Sequence, residues 1–558
     1  MLPASLVGES SNRRAARGHG GLRPCGIVSE MEALPSLTLY QPDFNSNSSY
    51  AQSYRFLVFE RAWFYGYGPF QKLGADTFTA VSPTINIFYT CDAEVITQLL
   101  KGKSFTKPAE LLQILNIFGP TMTGSDGEET RLYRRTTAPF FNKRTSQRVW
   151  TESVGSVDDL LTEKFGFGDS AITDLRPILA RLTLHILNRI AFEKEETLRE
   201  ELKVPTKARI HDLGYFEAMS SVLDNFAAIF VTPCLILRCS PFQTHKNAFE
   251  AYSRLRRHLN DLKHRKEAEE EMKRPKHDPS LLDLLVRSGG SSNQYSTGIL
   301  SPEAVVGNMF IFMFAGHEAS ANTLHFIIIL LACNPEIQAS MQKDIDDIFG
   351  AKSKERWSYD EHFQRLMESL VGAVIHEALR LFTVIPFILK ATSETSQSLV
   401  LNDRTHVIPP NTLILISTSG AHHNPKHWPG PRKAMAAAKP NPLDCFNPRY
   451  WLGHGDDKGS GFLRPVSGSF IPFSDGSRGC LGQHFSMVEL CAIITAIFTR
   501  YRVELIAPDI KATASEDTKR EAWQESRDRA KSAFADGVTF EMSLRMVAQV
   551  PIKFVSRA

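Results

Sequence analysis

The stretch FIPFSDGSRGCLGQHFSMVEL, Phe470 to Leu490, decides the fold. Within it Phe473, Gly476, Arg478, Cys480 and Gly482 spell F-x-x-G-x-R-x-C-x-G. Five fixed residues match by chance on the order of once in several thousand chains of this length. The spacing has a chemical reading. A cysteine at the start of a helix, Leu481 onward, meets unpaired N–H groups and the positive end of the helix dipole, and both favour a thiolate. Glycines on either side let the backbone pass close to a flat ligand and offer amides to the sulfur. Arg478, two residues away, reaches a carboxylate on that ligand's rim. The other cysteines are Cys25, Cys91, Cys234, Cys239, Cys333, Cys445 and Cys491. None forms a C-x-x-C pair, so zinc ribbons and thioredoxin-like redox pairs find no support. Their scatter in a long chain fits a reducing compartment.

This loop resembles the haem-binding loop of the cytochrome P-450 family, and the likeness covers residues 54–558. It implies a mostly α fold with a small β domain, with haem between a long central helix and the cysteine loop. It makes Cys480 the axial thiolate on the haem b iron, and Phe473 and Arg478 cofactor-binding residues. Thiolate ligation pushes electron density onto iron and favours O–O cleavage. HEALRLF sets Glu377 and Arg380 three apart on one helix face. They match the family's structural ion pair, which an arginine in a segment like FNPRYWL (Phe446–Leu452) completes. Here that position holds Tyr450, with Arg449 just before it. Either Arg449 reaches in, or Tyr450 supplies a hydroxyl. In GEETRLYRRTTAPFFN (Gly127–Asn142) Arg134 falls on a propionate-binding arginine, while Thr130 stands where the family has tryptophan. Lys390 sits where relatives often carry another propionate-binding cation.

FAGHEASA (Phe314–Ala321) resembles the family's oxygen-activating helix segment, A-G-x-[D/E]-T-T. The small Ala315 and Gly316 admit dioxygen and substrate and tolerate a local kink. Glu318 supplies the acid of an acid–alcohol pair that delivers protons. The alcohol position is Ala319, and Ser320 follows one residue later, a rotation of about 100 degrees. Glu318 and Ser320 are therefore the expected catalytic residues. Three readings stay open: a water chain in place of the alcohol, a hydroxyl brought by the substrate, or no full oxygen activation.

Around these motifs the chain reads as one unit. Ser301 caps a helix from Pro302 to about Cys333, stopped by Asn334-Pro335. Asn308, His317, Glu318, Asn322 and His325 break its apolar run, so it is a buried helix and not a bilayer span. A last long helix runs from near Cys480 to about Arg500. Asp76–Thr90 alternates as two strands around Ser82-Pro83-Thr84, and Leu399–Ser417 is strand-rich. Leu255–Pro275 carries dense mixed charge and reads as a solvated helix end and surface loop, with partner docking as the alternative. Tyr501–Ala558 reads as strand, charged insert, strand. Residues 1–53 are Gly-, Ser-, Asn- and Arg-rich and read as a disordered extension. Phe105–Thr123, Phe310–Ala319 and Thr383–Leu389 would line the substrate space by resemblance, and they are apolar.

The 64 Lys plus Arg against 61 Asp plus Glu leave a net charge of +3, with no basic-aromatic block for nucleic acid. The 36 Phe suit an enclosed apolar ligand or a Phe-rich core. The resemblance implies a monooxygenase acting on an apolar small molecule, possibly in secondary-metabolite biosynthesis. Its electrons would come from NADPH through a separate flavoprotein of the NADPH–cytochrome reductase type, since no G-x-G-x-x-G strand–helix unit is present. Two other readings stay open. One is a haem-thiolate isomerase, dehydratase or peroxide-using enzyme, on the strength of Ala319; the other is a non-catalytic haem-binding protein. Relatives sit on the cytoplasmic face of the endoplasmic reticulum membrane, tethered by an N-terminal helix that is not legible here. Peripheral contact through Tyr54–Phe70, with Arg55 and Arg61 at the interface, is the alternative to a soluble protein.

Overall fold

The computed structural model describes residues 36–38, 63–81, 86–164, 171–195, 197–199, 215–272, 278–289, 299–350, 357–428, 441–453, 461–506 and 515–557. Helices dominate. Those that build the site are α1 (Gly127–Thr137), α2 (Lys143–Lys164), α3 (Arg176–Ala191), α4 (Gln243–Met272), α5 (Pro302–Ala332), α6 (Leu370–Leu381), α7 (Gln483–Arg500) and α8 (Glu516–Asp536). The strands are β1 (Ser36–Thr38), β2 (Thr77–Val81), β3 (Asn86–Thr90), β4 (Phe387–Ala391), β5 (Gln397–Leu401), β6 (Arg404–Ile408), β7 (Leu413–Ser417), β8 (Tyr501–Leu505), β9 (Val538–Phe540), β10 (Leu544–Met546) and β11 (Ile552–Ser556).

Helix α5 is apolar on nearly every face, so it runs through the middle of the core. Its start is fixed by Ser301, whose Oγ accepts from the Ala304 N–H at 3.1 Å, and by Pro302 in the first turn. It packs along α3, and α7 packs along α2. Together these four helices form the main core. A second, smaller core lies under a five-stranded sheet of order β1-β2-β3-β7-β4. Strands β2 and β3 pair antiparallel, with Thr77 opposite Thr90, and β3 runs parallel to the fully buried β7. Strand β4 closes that side antiparallel to β7, which places Lys390 opposite Ile414.

The described residues bear on four further expectations. The charged stretch Leu255–Pro275 is helix rather than helix end and loop: it forms the second half of α4, with one face exposed and Leu255, Leu259, Lys263 and Lys266 buried, and its last residues, 273–275, lie outside the described set. Lys266 is tolerated there because Asp283 and Glu193 both meet its Nζ at 2.6 Å. In the tail, the insert between β8 and its partner β11 is the helix α8 followed by the hairpin β9–β10. Of residues 1–53 only Ser36–Thr38 are described, and they pair in parallel with β2. In the proposed membrane segment, residues 54–62 lie outside the described set, while Phe70 is buried with its ring 5.4 Å from Phe78.

Candidate active site

The cysteine loop is a tight turn docked against its surroundings. The Cys480 N–H donates to the Phe473 carbonyl at 2.9 Å, so Phe473 closes the turn. Gly476 has φ +67°, and a Cβ there would lie 2.2 Å from the Leu100 carbonyl oxygen. Glycine is needed at that position both for the backbone angle and for the close approach. Helix α7 begins at Gln483, with Gly482 as its cap residue. Cys480 is crowded by protein, and burial pushes its thiol up; the amides of Gly482 and Gln483 and the Arg134 charge oppose that shift. Its surface is nevertheless accessible, so the sulfur opens onto an interior space.

Helix α5 borders the same space. From Ala304 to Ala332 every residue is buried except Phe312, Ala315, Gly316 and Ala319. The spacing of three, four and seven residues makes one stripe. Phe141 spans from this stripe to the loop: its ring lies 6.2 Å from Phe312 and 3.9 Å from where a Cβ would stand on Gly482. Ala315 and Ala319 therefore look inward. Gly316 has a different task, since a Cβ there would lie 2.8 Å from Leu187 of α3. Its smallness serves helix packing rather than ligand entry, and α5 is helical throughout, without the tolerated break.

Four cations gather at the rim. Arg134 donates to the Gly479 carbonyl at 2.9 Å, and Lys390 to that of Phe105 at 3.1 Å. Arg478 donates to the Ser125 carbonyl at 3.1 Å and pairs with Asp126. The fourth is Lys107, in FTKPAE, which sequence reasoning did not assign to the site. Burial first, then the charges of Arg478 and Lys390, push its ammonium down to about 8. Burial and Arg478 also lower Lys390 and Arg134. Among the described residues Asp126 is the one carboxylate acting on this group. On α1, one turn before Arg134, the buried Thr130 hydroxyl has no partner among the described residues. Concentrated positive charge, an orphaned buried hydroxyl and an inward-facing sulfur fit a porphyrin with two propionates and a thiolate-bound iron.

A model of the family Cytochrome P450 matches residues 69–519. The chain belongs to the cytochrome P450 family. A cytochrome P450 monooxygenase of Arthrobotrys oligospora is 26% identical, the match covering 86% of this chain and 84% of the relative. One from Postia placenta is also 26% identical, over 76% of this chain and 77% of the relative. The phomenoic acid biosynthesis cluster P450 of Leptosphaeria maculans is 24% identical, over 75% and 74%. The crystal structure of the cytochrome P450DA haem domain superposes with a TM-score of 0.67 at 15% identity, covering 94% of this chain and 98% of that one, a likeness of fold. This P450 is a haem-thiolate monooxygenase.

In this P450 the two expected catalytic side chains turn away from each other. One oxygen of Glu318, Oε1, accepts from Arg176 at 2.8 Å, Ser543 at 3.1 Å and Asn322 at 3.2 Å. Burial, the largest influence, would raise this carboxyl, but Arg176, His317 and the Asn322 hydrogen bond together hold it lowered, so Glu318 is a carboxylate at neutral pH. Ser320 leaves α5 in another direction. Its hydroxyl lies 3.3 Å from Ser486 Oγ on α7, beside the buried carboxyl of Glu489, whose oxygens make no well-formed hydrogen bond among the described residues. The inward stripe carries Ala319 and no alcohol.

The expected ion pair is present and buried. Arg380 donates to Glu377 through Nε at 2.8 Å and a terminal nitrogen at 2.9 Å. Neither sequence candidate completes it: Arg449 reaches outward to Ser340 at 2.8 Å, and the Tyr450 hydroxyl meets the His427 carbonyl at 3.5 Å. The third partner is Trp451, fully buried, whose indole N–H donates to Glu377 Oε2 at 2.9 Å, while the Asn447 amide takes Oε1 at 2.9 Å. Each carboxylate oxygen thus accepts two bonds, and the cluster stays charge-balanced. The sequence signal was the tryptophan next to the departing Tyr450.

Of the lining segments, Phe118 stacks between Phe310 and Tyr252, with ring centroids 4.8 and 5.0 Å apart, and so belongs to the packed wall. Thr383–Leu389 meets an element sequence reasoning missed, the β9–β10 hairpin. Phe540 lies 5.2 Å from Phe387, and the Leu544 amide donates to the Val384 carbonyl at 2.9 Å.

Proposed function

We propose that this P450 hydroxylates, epoxidises or successively oxidises an apolar small molecule of secondary metabolism. The observation that carries the reading is an inward-facing sulfur opposite an uncharged helix stripe, with cations confined to one rim. When bound, haem supplies the dioxygen activation and oxygen insertion. Lys107, Arg134, Lys390 and Arg478 would hold its propionates, and the Gly482 and Gln483 amides would stabilise the sulfur. Glu318, with Oε1 tied and Oε2 open among the described residues, orders water and passes protons towards the stripe. At Ala319 the missing hydroxyl leaves room for that water or for a substrate hydroxyl.

Electrons come from NADPH through a separate flavoprotein. The exposed Arg135, Lys143 and Arg144, at the ends of α1 and α2, suit an acidic docking face, as does the exposed His484 four residues past the sulfur. A peripheral membrane contact is supported by Leu235 (72% exposed), Ile236 (54%) and Phe242 (65%). Leu237, next to them in the chain, lines a groove of about 360 Å³ with Ile114, Ile117, Ile229 and Tyr252. Arg238 and Lys246 are exposed beside them, as an anionic lipid surface would require. No single described helix is long and apolar enough to cross a membrane.

The deciding experiment is the spectrum of the reduced, carbon monoxide-bound protein beside C480A, followed by turnover under labelled dioxygen. Label in the product with a thiolate-type spectrum supports the reading. Unlabelled product supports the isomerase or dehydratase alternative, which the bare Ala319 favours. Membrane association is tested by flotation with anionic vesicles, and an L235D/I236D variant that floats as well as the parent removes that contact.

A further inference from the structure

The geometry points to Ser543, at the turn of the β9–β10 hairpin, as a positioning residue for Glu318 that links the wall of the substrate space to proton delivery. The inference rests on the proton role proposed above for Glu318. Ser543 is 5% exposed and lies 225 residues from its partner, so the contact is long-range. Its hydroxyl donates to Glu318 Oε1 at 3.1 Å and accepts from the Asn322 amide at 3.0 Å. Asn322 in turn donates to the same Oε1 at 3.2 Å and accepts from Arg176 Nε at 3.1 Å. Three donors from three elements, α3, α5 and the hairpin, therefore converge on one carboxylate oxygen. The second oxygen carries no bond among the described residues and is free to exchange with water.

Such a clamp fixes which lone pairs of a carboxylate are spent and which remain. The hairpin that supplies the third donor also packs on the expected lining segment Thr383–Leu389: Phe540 meets Phe387, and Leu544 is tied to Val384. A substrate pressing on this wall displaces Ser543 and changes the donor count on Glu318 with no contact to Glu318 itself. The surrounding charges are Arg176 from α3, His317 and His325 from α5, Asp224 from the helix Tyr215–Asp224, and Glu541 and Arg545 from the hairpin. Of these, Arg176 makes the ion pair with Glu318, so removing Ser543 leaves the charge balance intact and alters the carboxylate's orientation.

The test uses holoenzyme with a flavoprotein reductase, NADPH and dioxygen alone. At neutral pH the infrared carboxylate bands that vanish in E318Q are expected to move in S543A and to return in S543T, which keeps the hydroxyl. NADPH-driven dioxygen consumption is expected to fall on the order of tenfold in S543A, with a larger solvent deuterium effect, and to recover in S543T. Carboxylate bands in S543A that coincide with the parent overturn the inference, as does an S543T variant no better than S543A. Moved bands with unchanged dioxygen consumption overturn its functional half. An E318Q variant that consumes dioxygen at the parental rate sinks the proton role of Glu318 instead, while the infrared comparison still decides the place of Ser543.

Discussion

At the scale of single residues, buried charge in this P450 is handled by counting donors. Glu377 is 1% exposed, and four N–H groups saturate its two oxygens. Trp451→Phe removes one of them and also shrinks a fully buried ring. The expected cost is about 1.5–3 kcal/mol of stability, the range for a hydrogen bond to a charged group. Thermal unfolding of the holoenzyme measures it, and Tyr450→Arg added to W451F is expected to return part of the loss. The partner was illegible beforehand for a plain reason. Trp451 and Glu377 are 74 residues apart, and nothing in FNPRYWL states which of three adjacent side chains turns inward. Cys480, Arg134, Lys390 and the Glu377–Arg380 pair were legible because each lies in a fixed local spacing. Lys107 and Ser543 lie in none.

At the scale of elements, α5 shows how one helix serves several neighbours through its rotation. Ala315 and Ala319 face inward, Gly316 faces Leu187, Glu318 faces Arg176, and Ser320 faces α7. The single-residue offset between Ala319 and Ser320 is thus decisive, and a hydroxyl at the second cannot replace one at the first. Gly316→Ala is expected to lower stability by about 1–3 kcal/mol through overpacking against Leu187, with the carbon monoxide spectrum unchanged. Ala319→Thr is expected to leave the melting temperature nearly unchanged and to alter the ratio of product to hydrogen peroxide, which a coupling assay reads. Both ends of α5 were readable from its caps. Helix α4 was not, because its buried positions alternate with dense charge and two of them are lysines, of which Lys266 is neutralised by Glu193 and Asp283 from outside the helix.

At the scale of the whole molecule, the two helices that flank the haem site share an ionisable contact. Glu489, fully buried on α7 beside Ser320 of α5, is pushed up to about 8 by burial. It is protonated in the native state at neutral pH, whereas in the unfolded chain it ionises in the ordinary carboxyl range. The stability it contributes is complete at acid pH and declines as pH rises through that range to about 8. Between pH 7 and 9 the melting temperature is therefore expected to drop more for the parent than for Glu489→Gln, as calorimetry would show. Reductase-supported turnover is expected to slow with added salt if the basic ends of α1 and α2 meet an acidic face.

The rim of four cations has a bearing on how the protein fares in a cell. Before porphyrin arrives, Lys107, Arg134, Lys390 and Arg478 repel one another across a short span, with Asp126 to temper them. The apoprotein should therefore open there first, and its lifetime should track iron supply. Pulse-chase in iron-starved cells would reveal it, with faster clearance of the parent than of a Lys107→Met variant in which the crowding is relieved.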